Sequence, residues 1–163
     1  PAPMGQVESN ASRTGSCPIV TVNLWFDRRV LGTPFVGLPG RAMQWAFDRG
    51  AITDSTVAHV SLVSSGAASV VEMPNDAIVD LAMRELRDAL PSARAAGVRK
   101  ASVVRERRAT FSLAPGQPAR PGAETPLTGF YLAGDWTDTG LPGTIESAAM
   151  SGHLAAKAVN RAT

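Results

Sequence analysis

Residues 129–156 read GFYLAGDWTDTGLPGTIESAAMSGHLAA, and the fold turns on this stretch. Phe130-Tyr131-Leu132-Ala133 is a short apolar run that breaks at Gly134-Asp135. After a loop of Trp136 to Pro142, a helical period begins near Gly143 and runs to about Val159. Strand, Gly-Asp loop and helix in that order form the repeating unit of an α/β fold. A helix starting at Gly143-Thr144 leaves its first amides unpaired and turns its positive dipole end to the loop, which favours negative charge there. The carboxylate of Asp135 suits sugar-alcohol hydroxyls rather than phosphate, and Gly134 lets the backbone come close to a ligand. Along the helix, Ile145, Ala149, Gly152, Ala156 and Val159 form a stripe of mostly small residues, predicted to pack close against a sheet. From these residues alone, an ordinary crossover whose Asp merely shapes a turn is an equal reading.

Working outward, residues 112–128 contain four prolines and two glycines without periodicity and read as a crossing loop. Val98 to Phe111 alternates as a strand whose arginines face solvent or a ligand groove. Pro74-Asn75-Asp76 opens a helix to about Leu90, with Ile78, Ala82, Leu86 and Leu90 near one face and Pro91 just beyond its end. Further upstream, Pro18–Phe26, Phe35–Leu38, Met43–Phe47 and Val57–Ser64 read as short strands of one mixed or antiparallel sheet, with a turn at Asp48-Arg49-Gly50. In the first strand, Ile19, Thr21, Asn23 and Trp25 share a face. Residues 1–16 lack any hydrophobic period and read as a loop or frayed end.

The chain has 163 residues, enough for one ordinary domain, and its 44% apolar and 18% charged content is that of a globular protein. A net charge of only +2 leaves no basic footprint for nucleic acid. One cysteine, Cys17, excludes an intrachain disulfide and a cysteine-based zinc site. No apolar run approaches the roughly 20 residues of a membrane span, and Pro1 to Arg13 lacks the order of a signal peptide. The absence of Met at position 1 reads as an excised piece.

The whole string 129–156 resembles the C-terminal FAD motif of the phytoene desaturase and amine oxidase superfamily. In that family the Gly-Asp or Gly-Glu pair lies by the ribityl and pyrophosphate part of FAD, and the next helix meets the N1 and O2 edge of the flavin. The resemblance gives the first role to Gly134 and Asp135. It gives the second to Gly143, Thr144 and Ile145, whose backbone groups would stabilise negative charge on the reduced ring. Upstream, PIVTVNLWFDRRV, MQWAFDRG and VRERRATF are similar to the squalene-associated branch, the hydroxysqualene dehydroxylases, so the resemblance spans about residues 18 to 159.

This resemblance implies a Rossmann-like FAD-binding domain, of which 112–163 is the C-terminal portion, and a partial substrate domain over 18–111, preceded by a disordered or loop segment, 1–17. It also implies reductive dehydroxylation of hydroxysqualene to squalene, as in bacterial hopanoid synthesis. The partner is then an apolar C30 isoprenoid, met in the cytoplasm with peripheral contact at the inner face of the membrane. Phytoene or carotenoid desaturation, with hydride removed rather than given, is the rival within the superfamily. The family begins with a GxGxxG strand-turn-helix that holds the ADP half of FAD, and no such motif occurs in this sequence. The chain therefore reads as a fragment carrying half a flavin site, or as a non-catalytic piece that packs on a partner bearing the GxGxxG half.

Other residues invite plainer readings. Glu146 suits the first turn of a helix by the dipole alone. His59 and His153 have no metal-ligating companions at the right spacing. Ser61, Ser64 and Ser65 lack a nucleophile elbow. Trp25, Phe26, Trp45 and Phe47 could line an isoprenoid pocket or fill a core. Arg105, Arg107 and Arg108 fit a solvated strand face better than a phosphate site.

Overall fold

A computed structural model describes residues 3–162. The elements in order are α1 (Gly5–Arg13), β1 (Ser16–Phe26), β2 (Phe35–Gly37), β3 (Trp45–Asp48), α2 (Arg49–Ile52), β4 (His59–Ser65), α3 (Asn75–Ala89), α4 (Pro91–Arg94), β5 (Val98–Phe111) and α5 (Ile145–Ala162). The fold is α/β with one five-stranded sheet, ordered β2-β3-β4-β1-β5. The chain divides into two compact units, one of residues 17–109 and one of residues 1–16 with 110–163.

The 17–109 unit is a sheet with one buried face. β2, β3 and β4 form an antiparallel meander, and β1 pairs antiparallel with β4 from Ile19↔Ser65 to Trp25↔His59. Strand alternation sends Val20, Val22, Leu24 and Phe26 inward with Val60, Leu62 and Ala46. Against this layer packs α3, through Ile78, Ala82, Met83 and Leu86. Each fully buried Leu or Ile there contributes roughly 1.5–3 kcal/mol. The helix stops at Leu90 because Pro91 cannot continue it, and the same proline, with φ preset, becomes the first residue of α4. Where a plain turn is predicted at Asp48-Arg49-Gly50, one helical turn forms instead. The buried carboxylate of Asp48 accepts from the Ala51 amide at 2.9 Å and so nucleates α2.

Of the arginines of β5, Arg99, Arg107 and Arg108 are exposed, as a solvated strand face predicts, whereas Arg105 is half-buried. Arg105 donates to the carbonyls of Val71 and Met73 and to Asn75 Oδ1, clamping the lead-in of α3, and Arg107 pairs with Glu72.

In the second unit, the segment predicted as a loop or frayed end contains α1. This helix buries no residue. Its support is polar: Asn10 accepts from Gln6 and Arg13 and donates to the Ala119 carbonyl at 3.0 Å. Such side-chain bonds leave no hydrophobic period in the sequence.

Candidate functional site

The strand predicted at Phe130–Ala133 does not form as a named strand. Tyr131 makes one isolated bridge to Glu124, and Leu132 donates to the Ala123 carbonyl. A strand exists only through its neighbours, and among the described residues the run meets little more than the 123–124 segment. The chain then turns sharply. Gly134 has φ +140°, and a Cβ there would lie 2.9 Å from Trp136 Cδ1, so both conformation and space require glycine.

The turn is locked by α5. The Gly134 amide donates to Ser151 Oγ at 2.8 Å, and Ser147 Oγ donates to the Asp135 carbonyl at 3.1 Å while sharing a 2.6 Å bond with Thr139 Oγ1. Both serines are buried. On the loop side, Thr137 returns its amide and hydroxyl to the Gly134 carbonyl. Arg120 spans the carbonyls of Thr137 and Leu141 and stacks on Phe111.

Helix α5 starts two residues later than predicted. Thr144 is its cap: the hydroxyl accepts from the Ser147 amide at 3.1 Å, and the Thr144 carbonyl accepts the first helical bond from Ala148. The amides of Ile145 and Glu146, in the first turn, have no acceptor within a helix. Ile145 itself is 91% exposed.

The packing face of α5 is also not the predicted one. Ser147, Ser151 and Ala158 are buried, whereas Ile145, Ala149, Gly152, Ala156 and Val159 face outward. The helix is rotated by its hydrogen bonds to the turn, a stronger constraint than the fit of small side chains. Ser147 and Ser151, four apart after a Thr cap, were the signal in the sequence that this face is polar and internal. Glu146 and His153 are exposed on the helix.

Gly143 brings the pieces together. A Cβ on it would fall 2.3 Å from Thr110 Oγ1, 3.0 Å from Phe111 Cε1 and 3.1 Å from Asp135 Oδ2. Gly134, Asp135, Gly143 and Thr144 therefore meet in one knot, joined by Thr110 from the end of β5. Thr110 Oγ1 is buried with no hydrogen-bond partner, and among the described residues no group donates to the Asp135 carboxylate. The Asp135 carboxylate can accept from hydroxyl groups and the open first-turn amides favour negative charge, while the space beside the two glycines is filled by Trp136, Thr110 and Phe111.

The profile of the family described as flavin containing amine oxidoreductase matches residues 1–160. The chain is 33% identical over 139 residues to the hydroxysqualene dehydroxylase of Sinorhizobium fredii, covering 85% of this chain and 31% of that protein. With the hydroxysqualene dehydroxylase of Rhodopseudomonas palustris it shares 60% identity over 58 residues, 35% of this chain and 14% of that one. With the 15-cis-phytoene desaturase of an Oncidium hybrid cultivar it shares 31% over 160 residues, 91% and 28%. The chain thus spans less than a third of the length of these relatives. The cofactor of the family is FAD, and the Asp135 carboxylate, an acceptor with no donor among the described residues, matches the hydroxyls of a ribityl chain in hydrogen-bond type.

Proposed function

Because the chain belongs to the flavin containing amine oxidoreductase family, we propose that it is the C-terminal part of an FAD-dependent oxidoreductase that removes the hydroxyl of hydroxysqualene to give squalene. The observation that carries the reading is the Gly134-Asp135 turn held beneath the first two turns of α5 by Ser147 and Ser151. In this reading Asp135 accepts from ribityl hydroxyls, and the amides that open the helix beyond Gly143 and Thr144, with Ile145 at its first position, favour negative charge at the flavin edge. Bound here in its reduced form, FAD would supply the hydride equivalent that replaces the allylic hydroxyl, with water as the other product. Residues 18–111 serve as part of the substrate domain, and residues 112–163 as part of the flavin domain. An upstream GxGxxG-bearing half completes the cofactor site. A substrate this apolar is reached from the cytoplasm by peripheral contact with the inner membrane face.

Over comparable lengths the two branches differ little, 33% over 139 residues for the Sinorhizobium fredii dehydroxylase against 31% over 160 for the Oncidium hybrid desaturase; what supports the squalene branch is the 58-residue stretch that is 60% identical to the Rhodopseudomonas palustris dehydroxylase. The test is to combine the chain with the N-terminal half of the Sinorhizobium fredii protein. Flavin absorbance in the purified complex is measured first, then conversion of hydroxysqualene with photoreduced FAD and of phytoene with oxidised FAD. Squalene formation supports the proposal. Phytoene conversion alone replaces it with the desaturase, and a complex that retains no flavin overturns both.

A further inference from the structure

The stretch from Trp136 to Gly143, between the Asp135 turn and the cap of α5, belongs to no helix or strand. One side chain from outside it gathers its ends. Arg120 Nη1 donates to the Thr137 carbonyl at 3.1 Å and to the Leu141 carbonyl at 2.9 Å. Thr137 stands two residues after Asp135, and Leu141 two residues before Gly143. Two carbonyl dipoles turned on one point repel each other unless a cation lies between them, and here the guanidinium does. The next residue adds a backbone strut, since the Asp138 amide donates to the Pro121 carbonyl at 2.8 Å.

Arg120 is itself fixed from the other side. Its guanidinium lies 5.0 Å from the centre of the Phe111 ring, and Phe111 Cε1 in turn borders Gly143. The Arg120 side chain is only 19% exposed. Its Nη2 approaches Asp138 Oδ1 at 3.6 Å, but that carboxylate is 62% exposed, so the ion pair weighs little beside the two carbonyl bonds. The serines of α5 reach back to Gly134 and Asp135 and hold the turn to the body of the helix. They leave to Arg120, with the Thr139–Ser147 contact at mid-loop, the path by which the chain enters the helix.

We propose that Arg120 is a positioning residue for the flavin edge: by drawing Thr137 and Leu141 together, it fixes where the open amides of Ile145 and Glu146 stand relative to the Asp135 carboxylate. The assignment rests on the flavin reading above. Arg120 acts here through hydrogen bonds and packing rather than through its charge on the cofactor. Amides stabilise added negative charge only where they are held in place. Loosening the loop therefore weakens the hold on the reduced cofactor more than on the oxidised one.

The test uses the complex of the chain with the N-terminal half of the Sinorhizobium fredii protein. FAD affinity is read by flavin fluorescence, and the midpoint potential by equilibration with a reference dye. Arg120→Met removes the donors and keeps an unbranched side chain of similar length. The Kd is expected to rise about tenfold for oxidised FAD and about a hundredfold for reduced FAD, a further factor of ten that lowers the two-electron midpoint by about 30 mV. Asp138→Asn takes away the counter-charge of Arg120 and leaves the carbonyl bonds, so affinity should stay within about twofold and the midpoint should not move. An unmoved midpoint in folded Arg120→Met overturns the assignment whether or not affinity falls, because a merely structural contact weakens both forms of the cofactor alike. A midpoint that rises with Asp138→Asn overturns it as well, since the charge would then be acting through space. Near-UV circular dichroism establishes folding; if Arg120→Met does not fold, Arg120→Lys decides. A single ammonium lacks the planar fork that stacks on Phe111 while reaching both carbonyls. Lysine is therefore expected to lower the midpoint too, and an unchanged value overturns the proposal. Retained FAD with a midpoint indifferent to Arg120 sinks this assignment alone, whereas an unaltered complex that holds no FAD sinks the flavin reading and the assignment with it.

Discussion

The α-carbon of Gly143 lies so close to the hydroxyl of Thr110 that a methyl group on it would come within 2.3 Å of that oxygen. Gly143→Ala is therefore expected to lower stability by about 1–3 kcal/mol through overpacking. Adding Thr110→Ala should return part of the loss, because the two changes share one space. Thermal unfolding of both single variants and the double variant measures the coupling; simple additivity would show that Phe111 and Asp135, rather than Thr110, set the limit.

Thr110 itself carries a buried hydroxyl without a partner. Replacing it by the isosteric Val removes a desolvated group and leaves the shape. Thr110→Val is expected to be neutral or to stabilise by up to about 1 kcal/mol. A clear loss in urea unfolding would mean that the hydroxyl has found a partner in solution.

Thr144→Ala deletes the side-chain cap of α5 and is expected to cost about 1 kcal/mol. Thr144→Ser keeps the oxygen and should restore nearly all of it. Helix fraying is read by amide exchange at Ser147.

Arg105 and Arg107 sit two apart on β5 and should behave differently. Arg105→Met leaves the carbonyls of Val71 and Met73 without their donor, for an expected loss of about 2 kcal/mol. Arg107→Met breaks an exposed pair with Glu72 and should leave Tm nearly unchanged, with little dependence on salt in either form.

His59 sets a pH dependence whose sign is fixed. Its folded pKa lies below the ordinary 6.5, first because of burial and then because of Arg49. The unfolded chain therefore binds a proton more readily, and stability present above pH 6.5 is lost as pH falls through the folded pKa. Asp27, held below 3.8 by Arg28 and the Gly97 amide, acts in the same direction in a more acid window. Urea midpoints between pH 7.5 and 5 should fall for the unaltered chain and fall less for His59→Phe. An NMR titration giving His59 a pKa above 6.5 would reverse the argument.

How much of this was legible in the sequence depends on what kind of force set each feature. Period-two and period-3.6 patterns arise from burial, so β1, β5 and α3 can be read to within a few residues. Alternation also divided neighbours: Phe26 went to the core and Trp25 to the open face, a split that residue type alone does not give. Features made by polar side chains left no such trace. The helix α1 rests on Asn10, α2 on Asp48 and the orientation of α5 on Ser147 and Ser151, and each of these residues is equally at home in a loop. The small-residue stripe of α5 was a real pattern on the wrong side of the helix. The Gly134-Asp135 turn and the approach of Gly143 to it were visible through glycines, because only unusual backbone demands them. Thr110, nearly 25 residues earlier, could be found only in three dimensions.

The serine clamp ties two events into one. Since the Gly134 amide and the Asp135 carbonyl are both held by side chains of α5, the turn has no motion of its own slower than helix fraying and faster than loss of the helix. Its amides and those of the first two helical turns should exchange with solvent as a single cooperative block. Whatever closes over this surface meets a receptor whose shape was set before contact, so its on-rate is governed by encounter and not by a wait for the loop to arrange itself.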